Sequence, residues 1–208
     1  MREAAAARPP RWISFPAMWT RSFLLLHGVT NRRPAGHWHH RLSLALRERG
    51  EQVFYPQLPD TDRPTLEGWT DAIRAELALM RGERIVLAHS LSTIAWLHLA
   101  AAEPAPADRV VLVSPPGPSA FDWDVIAPFA FDHLDLGAIR LAEKSARLVV
   151  SDADPYRPEG PGYFAERLGI DADIVPGGGH LTLDDGYGEW PSALAWCLDP
   201  EARFTADR

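Results

Sequence analysis

The sequence predicts an α/β protein: a compact, mainly parallel sheet of about six strands with helices on both faces, three layers in all. Three observations carry that expectation. Six short apolar runs recur along the chain, bounded by glycine, proline or charged residues, the pattern of strands buried on both faces. Stretches of helix length separate them, and such alternation sets parallel strands side by side through right-handed crossovers. The chain has 208 residues, 46% hydrophobic and 24% charged, ordinary values for a globular domain that can bury a core without disulfides.

In chain order, residues 1–21 contain Pro9, Pro10 and Pro16, which interrupt any helix that the early alanines start. They are expected to form a loosely ordered extension before a single domain over 22–208. Residues 23–27 make the first strand, closed by Gly28. A helix over 37–49 ends at Gly50, and a second strand over 53–55 ends at Pro56. The helix over 65–81 has Leu66, Trp69, Ile73, Leu77 and Met80 on one stripe. Further strands are expected over 84–88, 109–113, 147–150 and 172–175, with helices over 91–103, 162–169 and 189–198. About thirty residues join the fourth and fifth strands, beginning with Pro115, Pro116 and Pro118, too few for a full cap domain. Prolines also follow the other strands, at Pro34, Pro56, Pro59, Pro155, Pro158 and Pro176. Loops after the carboxyl ends of strands are where open α/β sheets bind ligands, so the chemistry is sought there.

Several function classes are disfavoured. A formal charge of −7 argues against a phosphate-backbone partner, which needs clustered Lys and Arg. No run approaches 18 apolar residues, so no membrane span is expected. Cys197 is the single cysteine, which excludes an intramolecular disulfide and fits a cytoplasmic setting. His37, His39 and His40 resemble a metal tract, but only His37 and His40 share a helix face and no acidic partner is near; no metal is expected. His98 reads as a core histidine and Cys197 as a buried thiol.

The third strand runs into Ala88, His89, Ser90, Leu91 and Ser92 and then a helix. This resembles the nucleophile elbow of the α/β-hydrolases, a sharp strand-to-helix turn that presents a serine and needs small residues two positions before and after it. Ala88 and Ser92 stand where glycines are usual. A serine hydroxyl is a poor nucleophile at neutral pH; it needs a base, and the base needs a carboxylate to hold its tautomer. Both follow in the order that fold uses. The fifth strand leads to Asp152 and Asp154, the latter before Pro155 and the preferred acid, with Asp152 a competitor. The sixth leads through Pro176 and three glycines to His180. The loop after the first strand, from His27 to Asn31, should supply one backbone N–H to a developing oxyanion and Leu91 the other. Val29 is the expected donor, Gly28 permits close approach and Thr30 is the fallback, while His27 reads as a loop anchor.

These segments, with Asn31 and Trp38, the stretch from Tyr55 to Pro59, and Glu189-Trp190-Pro191, occur together over about residues 22–198. In combination they resemble the small serine hydrolases of the retinoblastoma-binding protein 9 type. The resemblance implies a triad of Ser90, Asp154 and His180 and hydrolysis of small ester or amide bonds, including aromatic acyl groups, without a cofactor. Asn31, Trp38, Phe121, Trp123 and Phe129 are the expected pocket residues. Two other readings stay open: a catalytically weak protein-interaction module on the same scaffold, and an acyltransferase.

Overall fold

The computed structural model describes residues 20–208. The extension expected over 1–21 therefore lies almost wholly outside the described residues, and Arg21 already belongs to the sheet. In order the elements are β1 (Arg21–Leu26), α1 (Trp38–Glu48), β2 (Gln52–Phe54), α2 (Leu66–Leu79), β3 (Glu83–His89), α3 (Leu91–Ala102) and β4 (Arg109–Val113). Then come β5 (Ser145–Ser151), α4 (Gly162–Leu168), β6 (Ala172–Val175) and α5 (Pro191–Leu198). Each expected strand and helix is present, with its ends within two residues of expectation.

The small shifts at the ends have local causes. Thr65 caps α2 from outside, its hydroxyl accepting the Gly68 N–H at 3.1 Å, so the helix proper starts at Leu66. Pro191 opens α5 because its missing N–H costs nothing in the first turn. Gly169 closes α4 in the left-handed region, at φ 63°, where a side chain would be strained.

All six strands are parallel, in the order β2-β1-β3-β4-β5-β6. Alternation along each strand sends side chains to two separate cores. Leu24, Leu26, Val86 and Leu112 face α2, α3 and α4, where Trp69, Ile73, Trp96 and Phe164 are fully buried. Phe23, Leu25, Ile85 and Val111 face α1 and α5, against Trp38, Leu46, Trp196 and Cys197. From β1 the chain first builds outward to β2, then returns to place β3 on the other side of β1. The reversal leaves a crevice beyond the carboxyl ends of β1 and β3, and the segments after Leu26 and His89 meet there.

The connection from β4 to β5 holds three short 3₁₀ turns, Pro118–Asp122, Ala127–Phe129 and Leu136–Ala138. Its later part packs down onto the molecule: Phe129, Phe131, Leu136 and Leu141 are buried with the α2–α4 core. Among the described residues no helix is long and apolar enough to cross a membrane.

Candidate active site

Ser90 occupies the turn between β3 and α3 at φ 58° and ψ −130°, a backbone conformation that costs a serine about 1–3 kcal/mol. Neighbouring contacts hold it there. The Ser90 N–H donates to Val113 O at 2.9 Å, tying the turn to the end of β4. Ser92, in place of the usual small glycine, has a use of its own. Its buried hydroxyl lies 2.8 Å from Leu26 O and 2.9 Å from His89 O and accepts the His89 N–H at 3.0 Å, fastening the elbow to the end of β1. A Cβ on Gly28 would lie 2.7 Å from Ser90 Cβ, so only glycine lets the β1 loop run this close to the serine. Gly28→Ala is therefore expected to displace the loop and lower kcat/KM by about 10²-fold in a folded protein; steady-state rates on an activated ester check this, and unchanged rates would contradict it.

His180 arrives on the loop after β6. Its Nε2 lies 2.8 Å from Ser90 Oγ, and its Nδ1 lies 3.0 Å from both carboxylate oxygens of Asp154. Ser90, Asp154 and His180 are all buried. Asp154 Oδ1 also accepts the Tyr156 N–H at 3.0 Å. Asp152 turns elsewhere: its Oδ1 accepts the Gly177 N–H at 2.7 Å, pinning the start of the histidine loop. The carboxylate of Asp185 pins the other end, accepting the His180 and Thr182 N–H groups at 3.0 Å each. With Ser90 as hydrogen-bond donor and Asp154 as acceptor, Nε2 is unprotonated and Nδ1 carries the proton, the tautomer needed to take a proton from the serine.

Among the described residues, neither the Val29 nor the Leu91 N–H has a protein acceptor. The Thr30 N–H is engaged by Thr61 O at 2.8 Å, so of the expected donor and its fallback only Val29 has its amide unengaged among the described residues. Val29 and Leu91 both line the cleft that holds Ser90, a space of ≈ 860 Å³. Pro116, Trp123, Ile126, Tyr156 and Leu183 give the cleft apolar walls, and Trp123, Tyr156 and Leu183 are exposed there.

Of the five expected pocket residues, Asn31 and Trp123 line this cleft; the other three do not. Trp38 is a correction. It lies in the core beneath the site, and its Nε1–H donates to Leu181 O at 3.0 Å, so it steadies the residue after His180. Phe129 is fully buried, its ring 5.4 Å from that of Trp69, because the 3₁₀ turns fold it onto the sheet. Phe121 packs against the same core with its ring 5.4 Å from Phe131. Two residues escaped the sequence reading. Tyr156 sets its ring 4.7 Å from the His180 ring, and Arg157 lies buried beside Asp154. Their place within three residues of Asp154 was the available signal.

His27 is a buried anchor. Its Nδ1 bonds Gly28 O at 2.9 Å and its Nε2 accepts the Leu58 N–H at 2.9 Å, joining the loops after β1 and β2. Burial pushes His27 and His37 down to about 4, and holds His39 and His89 well below the usual histidine range. An unfolded chain protonates these side chains near pH 6.5, whereas the fold keeps them neutral, so stability is lost as pH falls from about 6.5 toward 4. Each shift to about 4 is worth about 3 kcal/mol at its limit. Urea unfolding at pH 7.5 and pH 5 should differ by at least about 4 kcal/mol, with the acid sample weaker. Equal stabilities would refute this account.

A parallel sheet presenting a strained serine within reach of a histidine and a carboxylate defines an α/β-hydrolase fold, and the comparisons agree. The chain belongs to the serine hydrolase family, whose model matches residues 23–197, and its activity is that of a hydrolase. Among solved structures, the ydeN gene product of B. subtilis is similar at 23% identity and TM-score 0.74, covering 86% of this chain and 97% of that one. A YdeN-like protein of Pectobacterium atrosepticum is 20% identical with TM-score 0.67, over 84% of this chain and 86% of that one. Est1E of Butyrivibrio proteoclasticus, solved with ferulic acid bound, is 14% identical with TM-score 0.67, over 88% of this chain and 90% of that one. No curated protein matches the sequence.

Proposed function

We propose that this serine hydrolase, of the retinoblastoma-binding protein 9 type, cleaves small ester or amide bonds through an acyl-enzyme. The observation that carries the reading is the continuous relay from Ser90 Oγ to His180 Nε2 at 2.8 Å and from His180 Nδ1 to Asp154 at 3.0 Å. Ser90 Oγ attacks the substrate carbonyl while His180 takes its proton. The Val29 and Leu91 N–H groups stabilise the negative oxygen of the tetrahedral intermediate. His180 returns the proton to the leaving alcohol or amine, and Asp154 holds the imidazole in its working tautomer and stabilises the imidazolium. Water then enters, gives a proton to His180 and releases the acid. Side chains and backbone supply every step, so the mechanism calls for no metal or organic cofactor.

The apolar walls from Pro116, Trp123, Ile126 and Leu183 favour a small acyl group with aromatic or aliphatic character. Est1E holds ferulic acid, so aromatic acids belong in a substrate screen. An intact relay supports an active enzyme over a protein-interaction module on the same scaffold. Cys197 is free, so no disulfide is present among the described residues, which accords with a cytoplasmic setting. The test is a fluorophosphonate probe followed by peptide mapping: the label should fall on Ser90. Labelling of another residue, or none, would overturn the reading.

A further inference from the structure

Arg157 lies three residues beyond Asp154, on the turn that leaves β5. Its side chain is 1% exposed and that of Asp154 is 0% exposed, and Nη1 stands 3.5 Å from Asp154 Oδ2. Its other contacts are all to neutral backbone oxygens: Ser151 O at 2.6 Å, Gly160 O at 3.2 Å and Pro115 O at 3.5 Å. Among the described residues Asp154 is the one carboxylate within ion-pair distance of this buried guanidinium. Glu159, outside ion-pair distance, accepts the Ser119 N–H at 2.9 Å and gives the guanidinium a second Coulombic support, smaller than that of Asp154. Burial disfavours the Arg157 charge and Asp154 supports it.

Holding the Asp154 carboxylate in place does not require a cation, because the Tyr156 N–H already does so at 3.0 Å. The positive charge has a separate consequence. A lone buried carboxylate beside an imidazole strongly favours the protonated ring, and a protonated His180 cannot accept the Ser90 proton. An arginine at the far side of the carboxylate cancels part of that field.

We propose that Arg157 is a positioning residue that tempers the charge of Asp154, so that the Ser90–His180 relay keeps working in more acidic solution than a lone carboxylate would allow. The inference rests on the catalytic reading of Ser90, His180 and Asp154 given above. The other groups facing His180 stay fixed in the comparison. These are His89, whose Nε2 bonds His180 O at 2.9 Å, Asp185 on the backbone N–H, the Tyr156 ring, and His37, Arg32 and Asp184 along the cleft.

The experiment measures kcat/KM for an activated ester from pH 5 to pH 9 in wild type, Arg157→Gln, Arg157→Met and Arg157→Lys, with circular dichroism confirming the fold of each. In the neutral variants the acid limb should move toward higher pH by about half a unit or more. Glutamine retains donors for the carbonyl oxygens, so it separates lost charge from lost hydrogen bonds. Lysine keeps the charge and loses the fork, so its plateau should fall while its acid limb stays where the wild type has it. A purely structural role would lower the plateau in every variant and leave the limb in place. An unmoved limb in a folded neutral variant, or an equal displacement in the lysine variant, overturns the proposal. Fluorophosphonate labelling of wild-type Ser90 is run alongside. If it fails, the catalytic reading is at fault; if it succeeds and the limb does not move, only the role of Arg157 falls.

Discussion

Ser90→Ala is expected to lower kcat by on the order of 10⁶ while leaving the protein folded. The size follows from the arrangement. In the proposed mechanism His180 and Asp154 act only through the serine oxygen, so removing it disables all three at once. What remains is the background from the Val29 and Leu91 amides and from substrate binding, on the order of 10³–10⁴ over water. Alanine adds no bulk, and the elbow retains its Ser90 N–H bond position and the Ser92 clasp to Leu26. Thermal unfolding should therefore change little. Turnover of a chromogenic ester by purified protein decides the matter, since activity within tenfold of wild type would remove Ser90 from the mechanism.

The second large effect separates two neighbouring carboxylates. Asp154→Asn should reduce kcat by about 10⁴, because an amide can present its NH₂ to Nδ1 and favour the wrong imidazole tautomer. It also strips the buried Arg157 of its counter-charge, so the variant should be less stable and its fold must be checked at the assay temperature. Asp152→Asn should cost less than about tenfold, since an amide oxygen can still accept the Gly177 N–H that Asp152 now holds at 2.7 Å. An equal or greater loss at Asp152 would reverse the assignment of the acid.

Much of this architecture is legible in the sequence alone. Short apolar runs rich in valine, such as 109–113, fit a strand buried on both faces, and their spacing with helices leaves a parallel sheet as the natural solution. The site follows from that, because Ser90, Asp154 and His180 each come just after a strand, and parallel strands bring their carboxyl ends to one side. Local sequence is a poorer guide to which aromatic side chains face the substrate. Trp38, Phe121, Trp123 and Phe129 look alike in sequence, yet only Trp123 reaches the cleft. The difference arises from the path of the β4–β5 connection and the packing on the sheet beneath it, which are tertiary facts. Arg157 illustrates another limit. Nothing in the local sequence marks the arginine after Asp-Pro-Tyr as buried, and only the closure of Pro115, Ser151 and Gly160 around it makes it a buried charge.

The low-lying β4–β5 connection also bears on the fate of the acyl group. With Phe129, Phe131 and Leu136 committed to the core, the later half of that segment is anchored, while Trp123 and Ile126 from its first half stand as walls of the cleft. In the proposed mechanism the acyl group on Ser90 would then stand beside the exposed Trp123, Tyr156 and Leu183 in a cleft open to solvent, where water is the most concentrated nucleophile, and this favours release of the free acid over transfer to an alcohol or amine.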